Sequence, residues 1–212
     1  MTLTRAVAAL AASSILAVGL ILAPLAPEAR ADDTIRRPGD HPKYAVEIEP
    51  HALWGWTHYH YAPDDGFGLG GRFSIPIVEN GFVPSINNSV AISLGVDWLH
   101  YSGSGCYDYY FGPHYPGCYN VGDANYLFFP VVMQWNFFVA QHWSVFGEPG
   151  LVIWHGFYDY CSTAPPGYPC ANPSSTGVDF AFYVGGRYHV SDHVALVLRV
   201  GYPTFSFGVS FM

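Results

Sequence analysis

The stretch Ser89-Val-Ala-Ile-Ser-Leu-Gly-Val-Asp-Trp-Leu-His-Tyr101 alternates strictly. Val90, Ile92, Leu94, Val96 and Trp98 fall on one face, and Ala91, Ser93, Gly95 and Asp97 on the other. Successive side chains of an extended chain point to opposite sides, so the stretch predicts a strand with one apolar face and one small or polar face. The pattern returns over residues 125 to 137, where Leu127, Phe129, Val131, Met133, Trp135 and Phe137 are set against a polar group read as Asn125, Gln134 and Asn136. Over residues 179 to 189, Phe180, Phe182 and Val184 oppose Asp179, Gly185 and Arg187. Near the end, Val194, Leu196, Leu198 and Val200 oppose Arg199 and Gly201, and Phe205, Phe207, Val209 and Phe211 oppose Thr204, Ser206, Gly208 and Ser210. Weaker versions cover residues 44 to 56, 67 to 78 and 143 to 155. Eight strands are expected, with no helical period.

Composition limits what such a sheet does. Only 11% of the 212 residues are charged, against about 25% in soluble domains, and half are hydrophobic. An aromatic content of 17% excludes a disordered chain, since disordered chains are poor in aromatics. A net charge of −8 with eight Lys and Arg argues against nucleic acid, which needs clustered cations. At the start, Arg5 precedes an apolar run over residues 6 to 23, then Pro24 and Ala29-Arg30-Ala31. This reads as a secretory signal with an A-x-A cleavage site; an uncleaved anchor is the alternative, because the run reaches the lower limit for a spanning helix. The expected organisation is a signal peptide over 1–31, a short periplasmic segment over 32–43 and a barrel over 44–212.

Loop lengths and charges together point to a membrane. Connections over residues 57 to 66, 102 to 123 and 156 to 178 would leave one rim, with a tight turn at Tyr202-Pro203. Those over 79 to 88, 139 to 142 and 190 to 192 would leave the other. Short turns on one rim and long loops on the other mark outer-membrane barrels. Arg72, Arg187 and Arg199 all fall on the small-residue face, as do Glu47, Glu49, Asp97 and Glu148. A narrow interior that pairs these ions accommodates them, while the opposite face of Leu, Val, Ile, Phe and Trp suits hydrocarbon. A soluble lipocalin-like barrel would need a charged exterior that this chain lacks. Pro50, Pro76, Pro130 and Pro149 resist, since each deletes a ladder hydrogen bond. The run Gly66, Gly68, Gly70 and Gly71 suggests tight curvature or close approach in the second strand.

With its signal, eight alternating strands, the segment Trp143-Ser-Val-Phe-Gly-Glu-Pro-Gly150 after a short turn and the ending Thr204-Phe-Ser-Phe-Gly-Val-Ser-Phe-Met212, the chain resembles small eight-stranded Gram-negative outer-membrane β-barrels. The transmembrane domain of OmpA and the opacity-type surface proteins belong to that group. The resemblance covers residues 44 to 212 and implies location in the cell outer membrane, contact with its lipid, and no catalytic motif. It departs at Met212, where such barrels end in an aromatic residue, here penultimate as Phe211.

Chemistry-bearing candidates are few. His58 and His60, with His100 and His155 at the same expected rim, could hold a metal, although histidines beside Tyr and Trp at strand ends are also expected in an interfacial girdle. His142, Ser144 and Glu148 are close in sequence but carry no hydrolase motif. No cofactor is called for. Three functions stay open: a structural or surface-interaction barrel with a side-chain-filled lumen, the simplest for eight strands and compatible with an extracellular ligand at the long loops; a narrow pore or small-solute transporter; and a lipid-modifying enzyme.

Cys106 and Cys118 lie in one long loop, and Cys161 and Cys170 in another. Local bridges within each loop are the economical pairing, each worth about 2 to 3 kcal/mol through loop closure, and neither pair has the C-x-x-C spacing of a zinc site. Peptide mapping without reduction is expected to show Cys106 joined to Cys118 and Cys161 to Cys170; a bridge between the two loops would refute the pairing.

Overall fold

The computed structural model describes residues 33–55, 65–102, 106–107, 119–120, 123–159 and 174–212. Its strands are β1 (Glu47–Gly55), β2 (Gly66–Val78), β3 (Asn88–Tyr101), β4 (Ala124–Ala140), β5 (Trp143–Tyr158), β6 (Ser174–Ser191), β7 (Val194–Tyr202) and β8 (Phe205–Phe211). Each pairs antiparallel with its neighbours in sequence, and β1 pairs with β8 to close the ring. Closure leaves no strand edge unpaired, the condition for a sheet in lipid. Within the connection from β3 to β4, a separate two-residue ladder pairs Cys106 with Asn120 and Tyr107 with Tyr119.

The alternation read from sequence sorts the barrel wall into two faces. Every long apolar side chain of the β3 pattern from Ile92 to Trp98 is on the outside, with the series continued by Phe73 and Ile75 on β2 and by Phe180 and Phe182 on β6. Among the described residues, no Asp, Glu, Lys or Arg occupies an outward strand position. Where Lys or acidic side chains would solvate a water-facing barrel, this wall is mainly apolar, and the charged strand residues are inside. That is the arrangement of a transmembrane barrel. Asn125 is a correction: it shares the outward phase of Leu127 and sits at the strand end, apart from the inward Gln134 and Asn136.

The rims differ as the parity of the connections implies. Residues 79–87, 141–142 and 192–193 turn at one rim, and 56–65, 102–123, 159–173 and 203–204 connect strands at the other. Residues 33–46 lie on the short-turn side, beginning with the 3-10 turn Asp33–Arg36.

All four strand prolines coincide with interruptions of the ladder. Pro50 pairs with Gly71 on β2, but between β1 and β8 the register passes from Ile48↔Phe211 to His51↔Gly208. Pro130 pairs with Val152 on β5, and the register with β3 passes from Leu94↔Val131 to Asp97↔Phe128. Pro149 pairs with Phe182 on β6, and the register with β4 passes from Val132↔Gly150 to Trp135↔Gly147. Pro76 stands at a register shift between Pro76 and Val78, beyond the Glu47↔Ser74 pair where β1 ends. Pro50, Pro130 and Pro149 thus keep their pairing on one side and open the ladder on the other, where a missing N–H costs nothing.

A closed ladder of this kind resists detergent until heated. Unboiled and boiled samples are expected to migrate differently on a denaturing gel, and identical mobility would argue against a closed barrel in solution.

Candidate functional site

The inward phase of the strands brings seven of their eight Asp, Glu and Arg residues into one layer in the short-turn half of the barrel. Arg199 of β7 is its centre. Its Nη1 and Nη2 donate to Oε1 and Oε2 of Glu49 on β1 at 2.7 and 3.0 Å, a bidentate pair. Its Nε and Nη2 donate to Oε2 and Oε1 of Glu148 on β5 at 2.9 and 3.2 Å, and Nη1 also reaches Ser206 Oγ. One guanidinium therefore links two carboxylates on opposite sides of the interior, and all three side chains are at most 1% exposed. A planar fork of five donors matches two carboxylates in a way that an ammonium cannot.

Two further ion pairs flank this centre. Arg72 Nη2 donates to Asp97 Oδ2 at 3.2 Å, and Asp97 Oδ1 lies 2.9 Å from His51 Nε2. His51 Nδ1 in turn lies 3.5 Å from Glu49 Oε1, so Arg72, Asp97, His51, Glu49, Arg199 and Glu148 form one connected chain. Gly70 makes room for it: a Cβ there would collide with Asp97 and His51. Arg187 Nη2 is 2.8 Å from Glu47 Oε1, and its Nη1 donates to Asn136 Oδ1. This pair meets the chain through the ring of Phe146, which has the Arg187 and Arg199 guanidinium carbons 4.9 and 5.2 Å from its centroid, within cation–π range.

Glu47 is also held by two hydroxyls, one before β1 and one on β8. Tyr44 donates to its Oε2 and Ser210 to its Oε1. Burial, and next the Glu47 carboxylate, push the Tyr44 phenol above its ordinary range, which keeps it a donor. Three guanidiniums face four carboxylates in this layer, and His51, in contact with two of those carboxylates, is placed to supply the fourth positive charge when protonated.

The half of the interior toward the long loops is different. Leu53, Leu99, Tyr101, Tyr126, Phe128, Trp154, Tyr158 and Tyr183 pack there as a buried cluster, with Tyr126 donating to Tyr158 across 2.9 Å. The ion layer is therefore roofed by aromatic rings.

The seven charged residues expected inside are all buried and take part in the contacts above. Sequence reasoning missed His51, Gln134 as the donor to Glu148 Oε1 at 2.7 Å, and Phe146. His51 carried a signal, since it shares the inward phase of Glu47 and Glu49. The other described candidates are not brought together. His100 lies on the outer face against Asn125 Oδ1, and His155 against Thr176 Oγ1. His58 and His60 lie outside the described residues, and among the described residues no group of three metal-ligating side chains forms. Ser144 approaches His189 Nε2 at 3.0 Å instead of His142, while Glu148 is committed to Arg199. His189 Nδ1 is buried with no hydrogen-bond partner among the described residues, so no carboxylate completes a triad. Of the cysteines, Cys106 is described only by its backbone pairing; Cys118, Cys161 and Cys170 lie outside the described residues.

No protein-family model matches the chain, and no curated protein matches it. Solved structures similar to it include Ail, the attachment invasion locus protein of Yersinia pestis, in complex with the heparin analogue sucrose octasulfate, at 11% identity over 78% of this chain and 95% of that one, TM-score 0.45. Neisserial surface protein A matches at 14% identity over 78% and 94%, TM-score 0.42. The N-terminal β-barrel domain of Pseudomonas aeruginosa OprF matches at 11% identity over 78% and 95%, TM-score 0.41. At these values the comparisons assign no function.

Removing one partner of a buried ion pair leaves the other charge uncompensated, at roughly 3 to 5 kcal/mol. Arg199→Ala is accordingly expected to lower the urea midpoint of the folded barrel in detergent micelles, with Arg199→Lys intermediate because an ammonium serves one carboxylate at a time. Stability equal to wild type for the alanine variant would show that the interior solvates these carboxylates by other means.

Proposed function

We propose that this chain is a structural or surface-interaction barrel of the outer membrane, closed through its lumen and acting at its long loops. The observation that carries the reading is Arg199, joined to Glu49 on one side and Glu148 on the other under a layer of aromatic rings. Eight strands enclose a space that side chains of this size fill. The apolar exterior is matched to lipid, and the short-turn rim is assigned to the periplasm. The long loops then face outward, stapled by bridges from Cys106 to Cys118 and from Cys161 to Cys170, where an extracellular ligand would be met. Catalysis is not part of the proposal, since Ser144 is fully buried and its histidine lacks a carboxylate.

One observation favours a second reading, a narrow pore. Arg72 Nε and Nη1, Arg187 Nε and Gln134 Oε1 are buried without a hydrogen-bond partner among the described residues. Buried polar atoms of that kind are places where water binds, and a string of them would form a thin polar track. Single-channel recording in a planar bilayer separates the two. The closed reading expects no steady conductance from the purified protein; a stable open level that disappears when the interior arginines are replaced would establish the pore.

A further inference from the structure

We propose that residues 33–46 form a strap that closes the short-turn mouth of the barrel and shields His189 from solvent. The strap's contacts carry it three strands around the mouth. Its C-terminal end joins β1 at Glu47, yet it packs against Phe138 of β4, three strands around a ring of eight. Phe138 points inward and is 3% exposed. The His41 ring lies flat upon it, with centroids 4.4 Å apart and planes 5° apart. A side chain that stacks on an inward-facing ring stands over the mouth, not outside the wall. Phe138 also neighbours His189, at 6.1 Å between ring centroids, so the strap, Phe138 and the Ser144–His189 contact form one connected series.

Beyond the stack on Phe138, the strap is fastened chiefly by the turn joining β2 to β3. Asn87 is the hub. Its backbone N–H donates to Ile35 O at 2.7 Å, its carbonyl accepts from Phe138 N–H at 3.0 Å, and its Nδ2 donates to Asp40 O at 2.7 Å. It is fully buried. His41 Nε2 donates to Glu79 O at 2.9 Å. Tyr44 completes the series at the strap's root through Glu47, which ties the strap to the outermost ion pair of the interior.

The distribution of cations makes the strap testable. After residue 31 the chain has six Lys and Arg: Arg72, Arg187 and Arg199, buried in the barrel, and Arg36, Arg37 and Lys43, on the strap. Arg37 precedes Pro38, a bond that trypsin does not cut. Trypsin acting on the folded chain therefore has Arg36 and Lys43 as its sites, both in the strap, and cleavage after Lys43 releases it.

The proposal takes the orientation of this rim from the reading above, but its test does not depend on it. Folded protein in detergent micelles is treated with trypsin, and the rate of cleavage after Lys43 is followed by mass spectrometry for wild type and for the double variant His41→Ala, Asn87→Ala. The variant keeps the backbone bonds of Asn87 and loses its side-chain bond and the His41 stack and bond. Each such bond is worth about 1 kcal/mol, so the strap's undocked population, and with it the cleavage rate, should rise by roughly tenfold or more. Wild-type barrel clipped after folding provides the second measurement. Its His189 should react with diethylpyrocarbonate roughly tenfold faster than in the intact chain, with the half-buried His100 at the opposite rim as internal reference and gel mobility of the unboiled barrel unchanged. Equal cleavage rates in wild type and variant, or equal His189 reactivity before and after clipping, would overturn the strap. A conducting wild-type protein would overturn the closed-lumen reading and leave these two rates as they are.

Discussion

A guanidinium buried among eight strands must be neutralised where it stands. Transfer of an ion from water to an interior of low polarizability is opposed by several kcal/mol even after relaxation, and mutual attraction offsets this only when geometry and hydrogen bonding are nearly complete. Arg199 meets that condition by using all three nitrogens on two carboxylates and a serine. Much of the rest is arranged around it. Glu49 and Glu148 have to project from β1 and β5 at the height of Arg199 on β7, which holds only in the observed register. A slip of one residue would exchange the two faces of a strand, placing carboxylates in lipid and Leu or Phe in the ion layer. The ion layer therefore specifies register as well as occupying space.

How much of this was legible in the chain depended on period. The outward face was, because Ile92 to Trp98 and Phe205 to Phe211 repeat every second residue and membrane contact demands uniformity; Val90, of the same phase, is covered at the rim and fully buried. The inward charges were too, since parity alone places Arg72, Arg187 and Arg199 opposite the apolar set. Which carboxylate meets which arginine was not. Glu49 and Arg199 are 150 residues apart, and their meeting depends on how strands are staggered around a closed ring, which alternation does not encode. The aromatic roof was hidden for a different reason. Tyr126, Phe128 and Trp154 share the inward phase, but where both faces of a strand are apolar, period two does not tell inside from outside. Asn125 shows the converse, a polar residue assigned by its chemistry against the phase of its neighbours.

Residues 33–46 have no period at all, so nothing short of three-dimensional placement could connect His41 with Phe138. Their fastening nevertheless follows ordinary rules. A buried asparagine such as Asn87 uses its backbone and side chain to satisfy groups that a turn would otherwise leave bare, and a flat imidazole covers a flat phenyl ring.

The prolines give the wall an uneven stiffness. Glu49 and Glu148, the two carboxylates on Arg199, are each followed by proline, Pro50 and Pro149, and these open the ladder at the β1–β8 and β4–β5 contacts respectively. In a ring of eight those two contacts are diametrically opposed, so at this height the wall behaves as two half-shells, β1 to β4 and β5 to β8, meeting along weakened joints. Arg199 to Glu49, Arg187 to Glu47, Arg187 to Asn136 and Gln134 to Glu148 all cross from one half-shell to the other. Resistance to flattening of the barrel cross-section is thereby transferred at this level from backbone to side chains, as tie-rods inside a split cylinder do the work that its seams do not.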